Sequence, residues 1–120
     1  MSNPYLESYL DSLNAPDFKE IVLRIEALSR RKRARMAELI QTQYDATEFE
    51  PGVQDYDVWN RQVRPFRRAI FSVLGVLDRH SVIHHTALTP DVARRVKTLL
   101  DQLESAESAQ DVTEFPREDE

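Results

Sequence analysis

The sequence predicts an all-α fold: a single four-helix domain over residues 1–104, followed by a disordered acidic tail over residues 105–120. Three observations lead there. Only two glycines occur in 120 residues, too few for the tight turns that usually join strands. Leucine, alanine, arginine, glutamate and glutamine, all good helix formers, are abundant. Apolar residues recur in steps of three and four rather than alternating.

The first helix is expected to start at Ser2 or Asn3 as cap, with Pro4 in the first turn, where a missing amide donor costs nothing. Tyr5, Leu6, Tyr9, Leu10 and Leu13 form one stripe, which makes this helix a short amphipathic lid. Asn14, Ala15 and Pro16 break the pattern. A second, long amphipathic helix is expected from about Pro16 to Tyr44, because Phe18, Ile21, Val22, Ile25, Leu28, Met36, Leu39 and Ile40 keep to helical spacing. That length suits helical hairpins and coiled coils. At about 100° per residue Lys32 falls inside this stripe, and a polar residue at a seam can select partner number. The sequence therefore predicts a homodimer whose seam is Ile25, Leu28, Lys32, Met36 and Leu39.

Residues 45–57 carry five acids, no base and the Pro51-Gly52 turn signal, so they read as a loop. A third helix starts from Asp55 or Asp57 as cap and carries Trp59, Val63, Phe66, Ile70, Val73, Leu74 and Leu77. Its stripe stays in phase across Pro65, which predicts one kinked central helix rather than two. Phe71 and Val76 lie off the stripe, so this half is expected between neighbours, with Gly75 allowing close approach. Thr89-Pro90-Asp91 is a helix start signal of hydroxyl cap, first-turn proline and acid at the positive dipole end. The fourth helix then buries Val92, Val96, Leu99, Leu100 and Leu103 and turns Arg94, Arg95 and Lys97 outward. Beyond it, SAESAQDVTEFPREDE is polar and acidic with one aromatic, a composition that does not offset the entropy of ordering.

The net charge of -5 hides a strong asymmetry. Residues 1–20 have one lysine against four acids, and residues 101–120 one arginine against eight. Residues 21–100 carry fourteen bases against nine acids, and five of those acids lie in the 45–57 loop. The densest run, SRRKRAR, has five bases among Arg30 to Arg35. On the helices Arg24, Arg31 and Arg35 share one flank of the second, and Arg61, Arg64 and Arg68 form a stripe on the third with Arg67 nearer the boundary. These six arginines are the expected partner-binding residues. Arginine outnumbers lysine twelve to two in this region, which favours bidentate contact with carboxylate or phosphate.

Chemistry is sparse. There is no cysteine, which removes disulfides and thiolate chemistry and fits a reducing cytoplasm. No secretory signal precedes the domain, and AIFSVLGVL is too short to span a membrane. The histidines His80, His84 and His85 lie at a helix end, where a ring favours the negative dipole pole, and no second ligand motif accompanies them. No nucleophile elbow or phosphate-cradling glycine loop occurs. The sequence therefore points to no catalytic residue, no metal and no cofactor. It predicts a non-enzymatic cytoplasmic adaptor that self-associates and meets an acidic protein surface through its arginines. The alternative is a nucleic-acid accessory protein gripping phosphates through Arg31, Arg35, Arg61, Arg64 and Arg68.

Overall fold

The apolar stripe of residues 18–40 is continuous in the sequence, but the helix that carries it is not. In the computed structural model, which describes residues 4–79 and 81–118, it forms two helices, α2 (Pro16–Ala27) and α3 (Arg30–Ala46). Leu28 and Ser29 between them have extended backbone, with ψ of 149° and 158°. Ser29 explains where α3 restarts: its hydroxyl accepts from the Lys32 amide at 3.3 Å, an N-cap bond that competes with helix continuation. The single long helix expected over 16–44 is thereby corrected. The break has a packing consequence, since α2 now lies against α6 (Pro90–Ser105) while α3 lies against α5 (Arg64–Arg79). One amphipathic run thus serves two partners.

α1 (Pro4–Ser12) packs on α2, but only Leu10 is fully buried. Leu6 and Leu13 are half-covered, and Tyr5 and Tyr9 are exposed. Its predicted stripe is wider than the contact it makes. Asn14 follows with φ of 53°, a left-handed conformation that asparagine tolerates and that turns the chain into α2.

α4 (Tyr56–Gln62) starts at Asp55, whose carboxylate accepts from the Val58 amide at 3.1 Å. α5 follows after one residue, and the bonds from the Val63 amide to Trp59 and from the Arg67 amide to Val63 carry the ladder across the gap. Pro65 has no amide to contribute and its ring crowds the preceding turn, and the one kinked helix expected here is instead two, α4 and α5, so that the described residues hold six α-helices rather than the four expected. Val76 is buried as expected between neighbours, whereas Phe71 is 44% exposed. Thr89 caps α6 through its hydroxyl, as its sequence signal predicts.

Residues 106–116 are not a detached tail. After α6 the chain makes a 3₁₀ turn at Ala109–Asp111, closed by a reciprocal capping box between Ser108 and Asp111. This brings Val112 and Phe115 into the same hydrophobic core as Phe18, Met36, Ile70 and Leu103. Three side chains fasten the segment by its carbonyls: Lys32 Nζ donates to Ala106 at 2.8 Å, Arg35 Nε to Val112 at 2.9 Å and Arg95 Nε to Pro116 at 2.8 Å. The Arg95 guanidinium also lies 4.9 Å over Phe66 and 5.0 Å over Phe115. Acidic composition led to the expectation of disorder, but its two apolar residues have a ready cleft and its backbone has cationic donors. The boundary at 104 therefore separates no independent unit, and the ordered part reaches at least Pro116.

Candidate anion-binding groove on α5

Charge alone does not make a site, so the partner of each cation decides which are available. On α2, Arg24 bonds Glu104 in bidentate fashion at 2.7 and 3.0 Å, bonds Asp101, and lies 3.3 Å from Glu20. The Glu104 carboxylate, more than burial opposes it, holds this guanidinium protonated beyond the usual arginine range. Lys97 on α6 bonds Asp17 at 2.6 Å, which raises its pKa above the usual lysine value. Arg94 and Arg95 both reach Asp91. The outward face expected for α6 is thus an ion-paired one, with Arg95 and Lys97 only partly exposed.

The predicted dimer seam fares similarly. Ile25 and Met36 are completely buried, Leu28 and Leu39 nearly so, all within one chain's core. Lys32, the supposed specificity residue, has its ammonium on the Ala106 carbonyl. These five residues are taken up within the chain, because α6 packs on α2 while α5 and the turn at Ala109–Asp111 pack on α3, along the stripe that a second copy was expected to cover.

Of the six predicted binding arginines, Arg24 and Arg35 are spent within the chain. Arg31 is exposed on α3, apart from any groove. Arg61 on α4 and Arg64 and Arg68 on α5 are all exposed. Arg61 Nε donates to the Asp57 carbonyl at 3.3 Å and Arg64 Nη1 to the Asn60 amide oxygen at 3.0 Å. Neither these nor Arg67 and Arg68 has a carboxylate partner among the described residues. The merged six-arginine surface does not form, since Arg24 turns toward α6 and Arg35 toward Val112.

Beside this row lies a hollow of about 250 Å³ lined by Tyr44, Trp59, Arg64, Arg67, Arg68, Phe71, His84 and Ala87. A second, of about 440 Å³, shares Arg64, Arg68 and Ala87 and adds Asn60, Pro65, Thr86 and Thr89. No carboxylate lines either one. Arg67 is its innermost cation, its guanidinium 4.0 Å over the Tyr44 ring and 5.7 Å from Trp59. Its Nε is buried with no hydrogen-bond partner among the described residues. Stacking covers the faces of a guanidinium and leaves its N–H edge for an in-plane acceptor. Trp59 is held in place by its indole N–H, which donates to the Thr47 carbonyl at 2.9 Å. Tyr44 contacts Phe71, and Phe71 contacts His84, each pair 5.7 Å between centroids.

The sequence places Trp59 on the apolar stripe and Arg67 nearer the boundary, and does not bring either to Tyr44. A signal was present: Trp59, Val63 and Arg67 are successive i, i+4 positions, which places an arginine on the apolar side directly after a tryptophan. His80 lies outside the described residues, and among those described no group of three histidine or acidic side chains could hold a metal. Nor is any described helix long and apolar enough to cross a membrane. No family model, no curated protein and no solved structure matches this chain.

Proposed function

We propose that the chain is a non-enzymatic, cytoplasmic helical adaptor that docks an acidic protein segment along Arg61, Arg64 and Arg68. The observation that carries this reading is the contrast between cations. Those of α2 and α6 described above are matched by carboxylates inside the fold, whereas the four arginines within residues 61–68 have none among the described residues, and three of them, Arg64, Arg67 and Arg68, line a groove free of acids. Arginine beside tyrosine and tryptophan is also the composition enriched where protein interfaces concentrate their binding energy. Self-association through the α2–α3 seam is not carried forward, because its residues are already covered.

Gripping a nucleic-acid backbone is the weaker reading. Arg35, one of its five arginines, is committed to Val112. Of the tyrosine, tryptophan and phenylalanine that line the groove, Tyr44 is covered by Arg67 and Trp59 is 9% exposed, which leaves Phe71 as the one ring among them open to stacking, fewer than successive bases would use.

Trp59 is the sole tryptophan and reports on the groove directly. Titrating the protein with a glutamate-rich peptide at low salt should change its fluorescence saturably. The double substitution Arg64→Glu/Arg68→Glu should weaken that binding by about tenfold or more. Saturation that the double variant leaves intact would sink the proposal. A single-stranded oligonucleotide that outcompetes the peptide would transfer the site to nucleic acid.

A further inference from the structure

We infer that the groove recognises a phosphorylated tyrosine side chain on the acidic partner, a deepening that rests on the proposed docking function. Three features select the ligand.

The number of guanidiniums comes first. Arg64, Arg67 and Arg68 all line one hollow of about 250 Å³. A single carboxylate satisfies one fork and carries one charge. A phosphate monoester carries nearly two negative charges and three terminal oxygens at neutral pH, so it can accept from several guanidiniums at once. Clustered arginines are the general solution for phosphorylated motifs.

Depth comes second. Arg67 is less exposed than Arg64 and Arg68, is stacked on Tyr44, and has its Nε buried without a partner among the described residues. A buried donor without an acceptor is costly, and an acceptor arriving with a ligand removes that cost. An anion on a long, rigid stem extends farther inward from a docked backbone than one on a short side chain. Aspartate, glutamate and phosphoserine are shorter than a phosphorylated phenol, in which the ring holds the phosphate farther from the backbone.

The wall comes third. Phe71 is 44% exposed beside the arginines, and the His84 ring meets it at a tilt, 5.7 Å between centroids. An incoming aromatic ring would cover this apolar surface and pack edge or offset against Phe71. The second hollow, with Asn60, Thr86 and Thr89 and no acid, continues from Arg64 and Arg68 and leaves a polar channel for the flanking peptide.

The test uses the full chain and Trp59 fluorescence, with calorimetry as a second readout. Four peptides of identical flanking acidic sequence carry phosphotyrosine, tyrosine, phosphoserine or glutamate at the centre, and adenosine monophosphate is the small-molecule probe. The phosphotyrosine peptide should bind at least about tenfold more tightly than each of the other three peptides and than the nucleotide. Arg68→Gln, an exposed position, should erase that preference while leaving the thermal midpoint unchanged. Arg67→Lys should weaken it too, because a lysine keeps the charge but loses the planar edge. Equal binding of the phosphotyrosine and tyrosine peptides overturns the inference, as does equal or tighter binding of phosphoserine, glutamate or the nucleotide. If all acidic peptides bind alike, only this inference falls. If none binds, the docking function falls with it.

Discussion

The packing of residues 106–116 can be tested by Phe115→Ala. Phe115 is 4% exposed, meets Phe66 edge-on at 6.3 Å between centroids and carries the Arg95 guanidinium on its ring. Truncating a buried phenylalanine costs about 3–5 kcal/mol in a closed core. This residue sits near a chain end, where the segment can partly collapse into the space, so the lower end applies. The edge-on aromatic pair and the cation–π contact each contribute up to about 1 kcal/mol, and both vanish with the ring. The expected loss is therefore about 3–4 kcal/mol. For a chain of this size that lowers the thermal midpoint by roughly 10–20 °C. Urea and thermal unfolding followed by circular dichroism measure it, with the exposed Glu114→Ala as a control expected within about 0.5 kcal/mol of the parent. A mobile tail would make the two substitutions equivalent. If Phe115→Ala shifts stability by less than about 0.5 kcal/mol, the fastened segment is refuted.

Three further outcomes are expected. Ser29→Ala removes the N-cap of α3 and should cost about 1 kcal/mol by urea midpoint, since the break cannot heal without moving α2 off α6. Gly75→Ala should stabilise by about 0.5–1 kcal/mol, because a β-carbon there would meet only Ser81, at an ordinary 3.7 Å, within an otherwise regular helix; a loss of stability in the same melts would contradict this. Lys97→Met should show its effect only below strongly alkaline pH. The Asp17 bond raises the folded lysine's pKa above its usual value, so its stabilisation is fully present below that value and disappears as pH climbs through the raised one. Parent and variant urea midpoints should differ steadily through neutrality and converge in strong alkali, and a gap that opens instead would show the sign to be wrong.

Periodicity carried the fold as far as it could. The caps at Asp55 and Thr89 and the α6 core face were legible, because each depends on residues close together along one helix. The interruption at Leu28 and Ser29 was not. Its apolar phase is continuous, and a serine within a stripe reads as easily as a tolerated polar residue as it does as a cap. What decides between them is the separate engagement of α6 and α5, a tertiary fact. Residues 105–120 failed for a related reason: average composition forecasts disorder, but Val112 and Phe115 needed only a local cleft and donors from distant helices. The site was half legible. Exposed arginines at 61, 64 and 68 followed from helical phase, whereas Arg67 did not, because its stacking on Tyr44 joins α5 to α3.

Three of the five bases in the run Arg30–Arg35, namely Lys32, Arg33 and Arg35, meet backbone carbonyls within the fold. Cations at a helix N-terminus oppose its dipole, so placing them on the first turn of α3 is unfavourable taken alone. Two other helices, however, bring their negative ends there. Arg33 Nη2 donates to the Glu26 carbonyl in the last turn of α2 at 3.3 Å, and Lys32 reaches the Ala106 carbonyl that caps α6. Arg35 extends the pattern to Val112. Backbone carbonyls carry no formal charge, which is why segment charge sums could not show where these cations go. The two groups of cations should therefore separate by assay: removing Lys32 or Arg35 is expected to loosen the fold, while removing Arg64 or Arg68 is expected to leave the fold intact and lower the positive charge of the groove.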